Sequence, residues 1–147
     1  MSVFSGVKIS GDNIQLFLNR APTGIRRGFL RGFYEVRPLV IAEMVRLIED
    51  PPASGRLYYH GGKLHQASAP GEAPANMDGD LARSIEGLVD SDSLEVGSDL
   101  FYAKILEEGS DKIAKRPFVR RAGLSMIREV RQYLDFHVMT ELLKNKR

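Results

Sequence analysis

The sequence predicts an α+β fold in which a small antiparallel β-sheet packs against a long N-terminal helix and a long C-terminal helix. Two long segments repeat apolar residues at steps of three and four, which is typical of amphipathic helices. Two shorter segments are candidate strand pairs, each joined by a tight turn. The chain has 147 residues, 43% of them hydrophobic and 27% charged. This length and composition suit one domain with its own core, so residues 1–147 are predicted to form a single domain.

The N-terminal part is predicted to contain a strand and two helices. Residues 3–9 alternate weakly and form a candidate strand. Asp12 is suited to cap a short helix over residues 14–19. The first long helix is predicted over residues 21–49, where Pro38 interrupts the pattern and predicts a kink or a break. The apolar residues of this helix are Ile25, Phe29, Phe33, Val36, Val40, Met44, Leu47 and Ile48.

Residues 51–78 are predicted to form a projecting arm, because they hold four of the seven prolines. Gly55–His60 and Lys63–Ala67 flank Gly61-Gly62, a hairpin signal because glycine accepts positive φ at both turn positions. Residues 68–76 are interpreted as an extended loop. A hairpin followed by such a loop is typical of a surface projection that docks on a neighbour.

The C-terminal half is predicted to hold a second hairpin and two helices. Residues 85–89 and 93–97 flank the turn Asp90-Ser91-Asp92, and residues 100–108 form a short helix. Pro117 suits the first turn of a last helix that runs from Phe118 to about Leu143. The predicted inner face of this helix consists of Val119, Ala122, Met126, Val130, Tyr133 and His137.

The charges are unevenly distributed along the chain. Residues 1–50 carry 7 basic and 5 acidic side chains, residues 51–111 carry 4 and 11, and residues 112–147 carry 10 and 3. The net charge of +2 therefore hides an acidic middle (−7) and a basic C-terminal part (+7). Such an asymmetry indicates charged partners without identifying them.

The sequence offers no convincing catalytic group, and we expect no enzyme. The absence of cysteine excludes a disulfide, a thiol nucleophile and a thiolate metal site. Nucleophile-elbow, zinc-protease and phosphate-loop motifs are missing. The neighbours Glu107 and Glu108 do not face each other on a helix. Asp90 and Asp92 lie in a turn, where aspartate usually caps the backbone.

The histidines do not predict a metal site or a cofactor. A tight turn at residues 61–62 places His60 and His65 on one face of the hairpin. Glu72 is the nearest candidate for a third ligand, but it lies in a loop, and Lys63 on the same face repels a cation. We expect ordinary polar contacts here, and a half-buried, hydrogen-bonded His137 on the last helix.

Five basic residues cluster where the last helix begins. They are Lys112, Lys115, Arg116, Arg120 and Arg121. Positive charge at a helix N-terminus is unfavourable, so the cluster predicts an anionic neighbour: nucleic acid or an acidic protein surface. A solvated basic face is the alternative. No helix-turn-helix or aromatic platform is visible, which leaves only non-specific contact with phosphate.

Two stretches of the chain resemble a known family. The residues that carry the likeness are Ser54 to Tyr58, Gly61-Gly62, His65 to Ala75 (HQASAPGEAPA), Gly79 to Ile85, Val96 to Ser98, Tyr102-Ala103, Leu106 to Gly109 and Lys115 to Ala122. In this order, over residues 54–122, they resemble the neck and tail-completion proteins of long-tailed, siphophage-type bacteriophages. Met77-Asp78 and Ser110-Asp111 depart from the threonine-containing turns of that family.

The resemblance implies a structural virion protein at the head–tail junction, without catalysis. Its expected partners are further copies of itself in a hexameric ring, the head-connector or head-closure proteins, and the tail-tube or tail-terminator proteins. Viral DNA would pass through the lumen with non-specific contacts. A tail terminator is the nearest alternative, and a small basic nucleic-acid-binding protein is a more distant one. We expect the protein in the virion, and in the host cytoplasm during assembly, with no membrane association.

The resemblance also suggests which residues meet a neighbour. The candidate interface residues are Arg56, Tyr58, His60, His65, Pro70, Glu72 and Pro74. The five basic residues would face a partner or DNA. Phe118 and Tyr102 are the expected core anchors, fixing the last helix and the preceding short helix to the sheet.

Overall fold

The computed structural model describes the backbone of residues 5–9 and all of residues 21–144, and its fold is α+β. The predicted cap at Asp12 and the helix over residues 14–19 lie outside the described residues. The elements in chain order are β1 (Ser5–Ile9), α1 (Thr23–Glu49), β2 (Leu57–His60), β3 (Lys63–Gln66), α2 (Asp80–Arg83), β4 (Ile85–Val89), β5 (Leu94–Ser98), α3 (Phe101–Glu108) and α4 (Val119–Lys144).

The strands form two separate antiparallel sheets. One sheet has three strands in the order β1–β5–β4, so that β5 is central. Val96 of β5 pairs with Val7 on one side and with Gly87 on the other. The second sheet is the hairpin β2–β3, whose glycine turn has φ of 57° at Gly61 and 77° at Gly62, as expected for a two-residue turn.

The two long helices pack against each other in antiparallel directions, and Gly28 and Gly32 of α1 bring them close. Gly24, Gly28 and Gly32 recur every fourth residue along α1 and are all buried. A Cβ atom at Gly28 would lie 2.7 Å from the Cα of Val138 and 2.9 Å from the carbonyl oxygen of His137. Because glycine has no side chain, the backbones of α1 and α4 come into direct contact at Gly28.

Of the kink or break expected at Pro38, the break does not occur: α1 runs from Thr23 to Glu49 with Pro38 inside it. Proline has no N–H to donate to the carbonyl of Tyr34, four residues earlier. Pro38 and Tyr34 both lie on the exposed side of the helix. Water can therefore satisfy this carbonyl, and the buried face continues unchanged through Val36 and Val40.

The core lies between α1, the inner face of the three-stranded sheet and the first turns of α4. Its fully buried members are Phe33, Val36, Val40, Met44, Ile48, Ala73, Leu94, Val96, Ala103, Phe118 and Ala122. On α4, Tyr133 is more exposed than its position on the predicted inner face suggests, and Glu141 is buried instead. None of the described helices has the uninterrupted apolar length that a bilayer span requires.

Candidate interaction surface

One face of the hairpin β2–β3 is exposed and, apart from Gln66, which pairs with Leu57, apolar. Tyr59 pairs with Leu64, and Leu57 lies on the same face two residues before Tyr59. Tyr59 is 77% exposed, and Leu64 and Leu57 are each 56% exposed. An isolated two-stranded hairpin is marginally stable in water, so a face of this kind is typical of a binding surface.

The opposite face of the hairpin carries Tyr58 and both histidines, in the predicted register. Tyr58 pairs with His65 and His60 pairs with Lys63. The ring centroids of His60 and His65 are 6.2 Å apart. The Tyr58 hydroxyl lies 3.3 Å from the sulfur of Met77. Within the described residues no three histidine, aspartate or glutamate side chains are grouped so that they could hold a metal ion.

The base of the hairpin is held by the carboxylate of Glu72. It accepts hydrogen bonds from the hydroxyl and the backbone N–H of Ser54 and, at 2.7 Å, from the N–H of Ala69. The hydroxyl of Ser54, followed by the N–H of Ala69, holds the pKa of Glu72 below its usual range. Glu72, a candidate for an intersubunit contact, thus acts within its own chain and joins the two ends of the hairpin segment.

The proline-rich part of the predicted arm does not project. Arg116 donates to the carbonyl of Ser68 at 3.2 and 3.3 Å, and Arg121 donates to the carbonyl of Gly71 at 2.6 Å. Extended backbone has carbonyls that need donors, and these two arginines supply them. Pro74 is buried, although it was predicted to face a partner, whereas Pro70 remains exposed.

The anion predicted at the start of the last helix is a residue of the same chain. The carboxylate of Glu107 accepts the backbone N–H groups of Phe118, Val119 and Arg120 at 2.8, 2.9 and 2.9 Å. Phe118 has no side-chain oxygen to cap the helix, so Glu107 from α3 satisfies three otherwise unpaired donors. The N–H groups of this helix terminus therefore have an anion within their own chain, and an external anion beside the basic side chains stays a prediction.

The five basic residues separate into two groups. Arg116 and Arg121 donate to carbonyls of the loop, and their contact with a partner or DNA stays a prediction. The side chains of Lys112, Lys115 and Arg120 are exposed and form no ion pair with the rest of the described chain. Arg121 is itself exposed, so it belongs to the accessible basic surface together with these three residues.

A cleft of about 490 Å³ lies between the hairpin base, the loop and α3. Tyr58 and Met77 line one side, and Tyr102 and Leu106 of α3 line the other. Burial, and then the neighbouring carboxylate of Asp80, raises the pKa of Tyr102. Tyr102 is half-buried against the core, while Phe118, the other expected anchor, is fully buried.

A buried charge cluster joins the two long helices near the glycine contact. The carboxylate of Glu141 is 2% exposed, and it binds Arg31 at 2.6 Å, Lys144 at 3.2 Å and Arg27 at 3.6 Å. The hydrogen bond from Lys144 is the main reason that the pKa of Glu141 lies below its usual range. One turn earlier, Nε2 of His137 lies 2.9 Å from Glu35 but outside hydrogen-bonding geometry.

Sequence reasoning missed three features of this arrangement: the glycine contact, the buried Glu141 and the capping role of Glu107. The repeat of Gly24, Gly28 and Gly32 at intervals of four was a visible signal for a close helix contact. The sequence contains no such signal for the burial of Glu141 or for the capping role of Glu107. Each depends on residues that are distant in sequence and adjacent only in the folded chain.

Comparison with known proteins gives no relative. No family model matches the chain, and neither a curated protein nor a solved structure matches it.

Proposed function

We propose that this protein is a structural component of the head–tail junction of a long-tailed bacteriophage. In this role, copies of the chain form a ring that completes the tail or joins it to the head connector and lets DNA pass. The proposal rests on the ordered series of short motifs over residues 54–122, which we interpret as a resemblance to neck and tail-completion proteins. The proposed role is assembly, with no catalytic step.

The contacts around the hairpin support the proposal. Several residues within the likeness fix one segment: Glu72 joins the two sides of the hairpin base, and Arg116 holds the loop that follows it. Phe118 anchors the same junction in the core. The hairpin β2–β3 therefore stands on a rigid base with its apolar face in solvent. An assembly protein needs such a surface, because binding loses less entropy when the contacting segment is already ordered.

The test is removal of the protein from the phage or prophage that encodes it. We expect particles that lack it to accumulate as full heads beside separate tails of normal length in electron micrographs. We also expect mass spectrometry of purified wild-type virions to detect the chain. Complementation with the full-length protein should restore joined particles.

Two other outcomes would contradict the proposed role. Tails of abnormal length would indicate a tail terminator, because a terminator stops the growth of the tube. Normal infectious particles without the protein would refute a junction role altogether.

A further inference from the structure

The solvent-facing side of α4 carries apolar residues flanked by arginines in the first half of the helix. Four residues lie in one row along the helix, because they follow one another at steps of four, three and four: Arg120, Leu124, Ile127 and Arg131. Arg128 lies beside Leu124, one turn further on. Leu124 is 62% exposed and Ile127 is 65% exposed. These five residues, which we call the basic row, combine an apolar centre with positive charge at both ends.

The cations of the basic row are available to a partner. Neither Arg120 nor Arg128 forms an ion pair with another described residue. Arg131 lies 3.8 Å from Asp135, but both side chains are exposed, and such a pair contributes little. Residues 112–128 contain no acidic side chain. The basic row therefore fits a partner surface with carboxylates around an apolar centre. It fits DNA less well, because phosphates would leave the apolar centre without an apolar contact.

Strand β4 presents the complementary pattern on the outer face of the three-stranded sheet. Glu86 and Leu88 are two residues apart and share a face, and Asp90 follows directly after the strand in the same alternation. Gly87 faces α1 instead, because a Cβ atom there would lie 2.8 Å from Cγ of Arg37. Glu86, Leu88 and Asp90 therefore point away from α1, and all three are exposed. We call these three residues the acidic row.

The two rows match in charge pattern and in length. Residues 84–103 contain no basic side chain, so the acidic row is as uniform in sign as the basic row. The eleven residue steps from Arg120 to Arg131 span about 16 Å of helix. The four steps from Glu86 to Asp90 span about 13 Å of extended chain. Both ends of one row can thus meet an opposite charge while the apolar centres are in contact.

We propose that the basic row of α4 in one copy packs against the acidic row of β4 in the next copy. Leu124 and Ile127 would cover Leu88. The arginines of the basic row would then approach the carboxylates of Glu86 and Asp90. This contact deepens the proposed function, on which it rests, by naming the two surfaces that join neighbouring subunits. Because the two surfaces differ, the contact is heterologous and generates a ring when the rotation closes. The hairpin β2–β3 takes no part in it and stays available for another neighbour.

Charge disfavours the other contacts of each row. Two basic rows would oppose their arginines, and two acidic rows would oppose their carboxylates, and like charges across an interface suppress wrong pairings. The apolar face of the hairpin cannot replace the acidic row, because residues 55–67 contain no acidic side chain to meet the arginines. Phe101 of α3 is exposed and close to Asp99, but Lys104 lies one helical turn further on. That surface therefore lacks the uniform sign of the acidic row.

The apolar patch at the other end of α4 cannot replace the basic row. This patch consists of Phe136, Met139 and Leu143, which are all exposed. Among the described residues, those three or four positions away from its members include a carboxylate, Asp135, and no cation. Contact between this patch and the acidic row would therefore bring like charges together and leave Glu86 without a cation.

The absence of cysteine makes a direct crosslinking test possible. We would prepare full-length Ile127→Cys and Leu88→Cys variants, mix them at concentrations at which the wild type assembles, and oxidise the mixture. Particles from cells that produce both variants would be oxidised in parallel. A disulfide requires Cα atoms within about 7 Å, so it reports a close contact. We expect a disulfide-linked heterodimer as the main product, and little product from either variant alone. Its absence from both preparations would overturn the proposed contact.

Two matched mixtures test the competing surfaces. Leu88→Cys would be mixed with Leu143→Cys, and Ile127→Cys with Leu64→Cys. Leu143 and Leu64 are suitable because they are 61% and 56% exposed, close to the values of the two residues in the proposed contact. A main product from either mixture would overturn the contact. Predominant self-linkage of Ile127→Cys would also overturn it, in favour of a symmetric pair of helices.

Charge reversal provides an independent measurement. We expect Arg128→Glu and Glu86→Lys each to raise the concentration needed for assembly about tenfold, as measured by native mass spectrometry. An equimolar mixture of the two variants should assemble within about threefold of the wild-type concentration, because the altered surfaces fit each other and the unaltered ones do so as well. Lys112→Glu and Asp99→Lys, at exposed positions outside both rows, should change this concentration by less than about twofold. A mixture that assembles no better than either variant alone would contradict the contact.

Duplex DNA is the competing partner for an arginine-rich helix face. If the basic row bound DNA instead, Arg128→Glu would weaken duplex binding in fluorescence anisotropy and leave assembly at the wild-type level. We expect the opposite result, which is unchanged duplex affinity and weakened assembly. Weakened duplex binding with normal assembly would overturn the proposed contact.

The outcomes separate this inference from the proposed function. Rings that join heads to tails but give none of the expected heterodimer would refute the contact and leave the function intact. The expected heterodimer from a protein whose loss leaves particles unaffected would support the contact and refute the junction role.

Discussion

Apolar residues are buried where α1 packs against α4, whereas they are exposed on the hairpin β2–β3. Phe33 and Val40 of α1 are buried, and the glycines beside them bring the helix backbones into contact. Tyr59 and Leu64 of the hairpin are more than half exposed. Burial of apolar area is what stabilises a fold, so the helix interface accounts for stability and the hairpin contributes little to it.

This difference shows that stability and partner binding are divided between separate segments. The helix interface also contains the buried Glu141 cluster, where a polar group has three cationic partners. The hairpin is tied to the body mainly at its base, through Glu72. Substitutions in the two regions should therefore separate cleanly into those that unfold the subunit and those that affect only its assembly.

The largest expected effect is that of Phe118→Ala. Phe118 is fully buried where α4 meets the core, so its truncation should lower the free energy of unfolding by about 3–5 kcal/mol. Urea denaturation followed by circular dichroism measures this change. The matched control is Phe101→Ala, because Phe101 is 77% exposed and should change stability by less than about 0.5 kcal/mol. Equal effects at both positions would contradict the assignment of the core.

The glycine contact gives the second prediction. In Gly28→Ala the new methyl group meets the backbone of Val138, and overpacking of this kind costs about 1–3 kcal/mol. This loss should exceed the gain of about 1 kcal/mol from the better helix propensity of alanine. In Gly32→Ala the closest atom belongs to the movable side chain of Leu134, so the loss should be smaller. The reverse order in denaturation experiments would contradict the close approach at Gly28.

The third prediction concerns pH. The pKa of Glu141 is lowered by Lys144 and the nearby arginines from its ordinary value of 4.5. Its contribution to stability is therefore present above pH 4.5 and is lost as the pH falls through the lower folded pKa. Glu141→Gln should lower the melting temperature at neutral pH, and the difference from wild type should shrink in acid. A difference that is independent of pH would show that the charge of Glu141 is unimportant. Glu86→Gln is the exposed control.

The sequence predicted the elements well because their signals are local. The double glycine at residues 61–62 and the apolar repeat of α1 determine a turn and a helix from neighbouring residues alone. The contacts of Arg116 and Glu107 could not be predicted because their partners lie in other segments of the chain. Arg116 binds the carbonyl of Ser68, and Glu107 caps a helix that begins at Val119. The sequence alone does not show whether a charged side chain on a helix or loop faces solvent or binds an unpaired backbone group.

The smallest expected change in stability is that of removing the hairpin itself. The N–H of Ala67 donates to the carbonyl of Arg56 at 3.0 Å, so a Gly-Gly link can replace residues 57–66 without moving the ends. Among the described residues, the only hydrogen bonds lost outside the hairpin are exposed ones, to Met77 and Gly55. We expect unfolding free energy within about 0.5 kcal/mol of wild type, together with loss of assembly in native mass spectrometry. A fall of several kcal/mol would mean that the hairpin belongs to the core, because only buried contacts stabilise a domain by that amount.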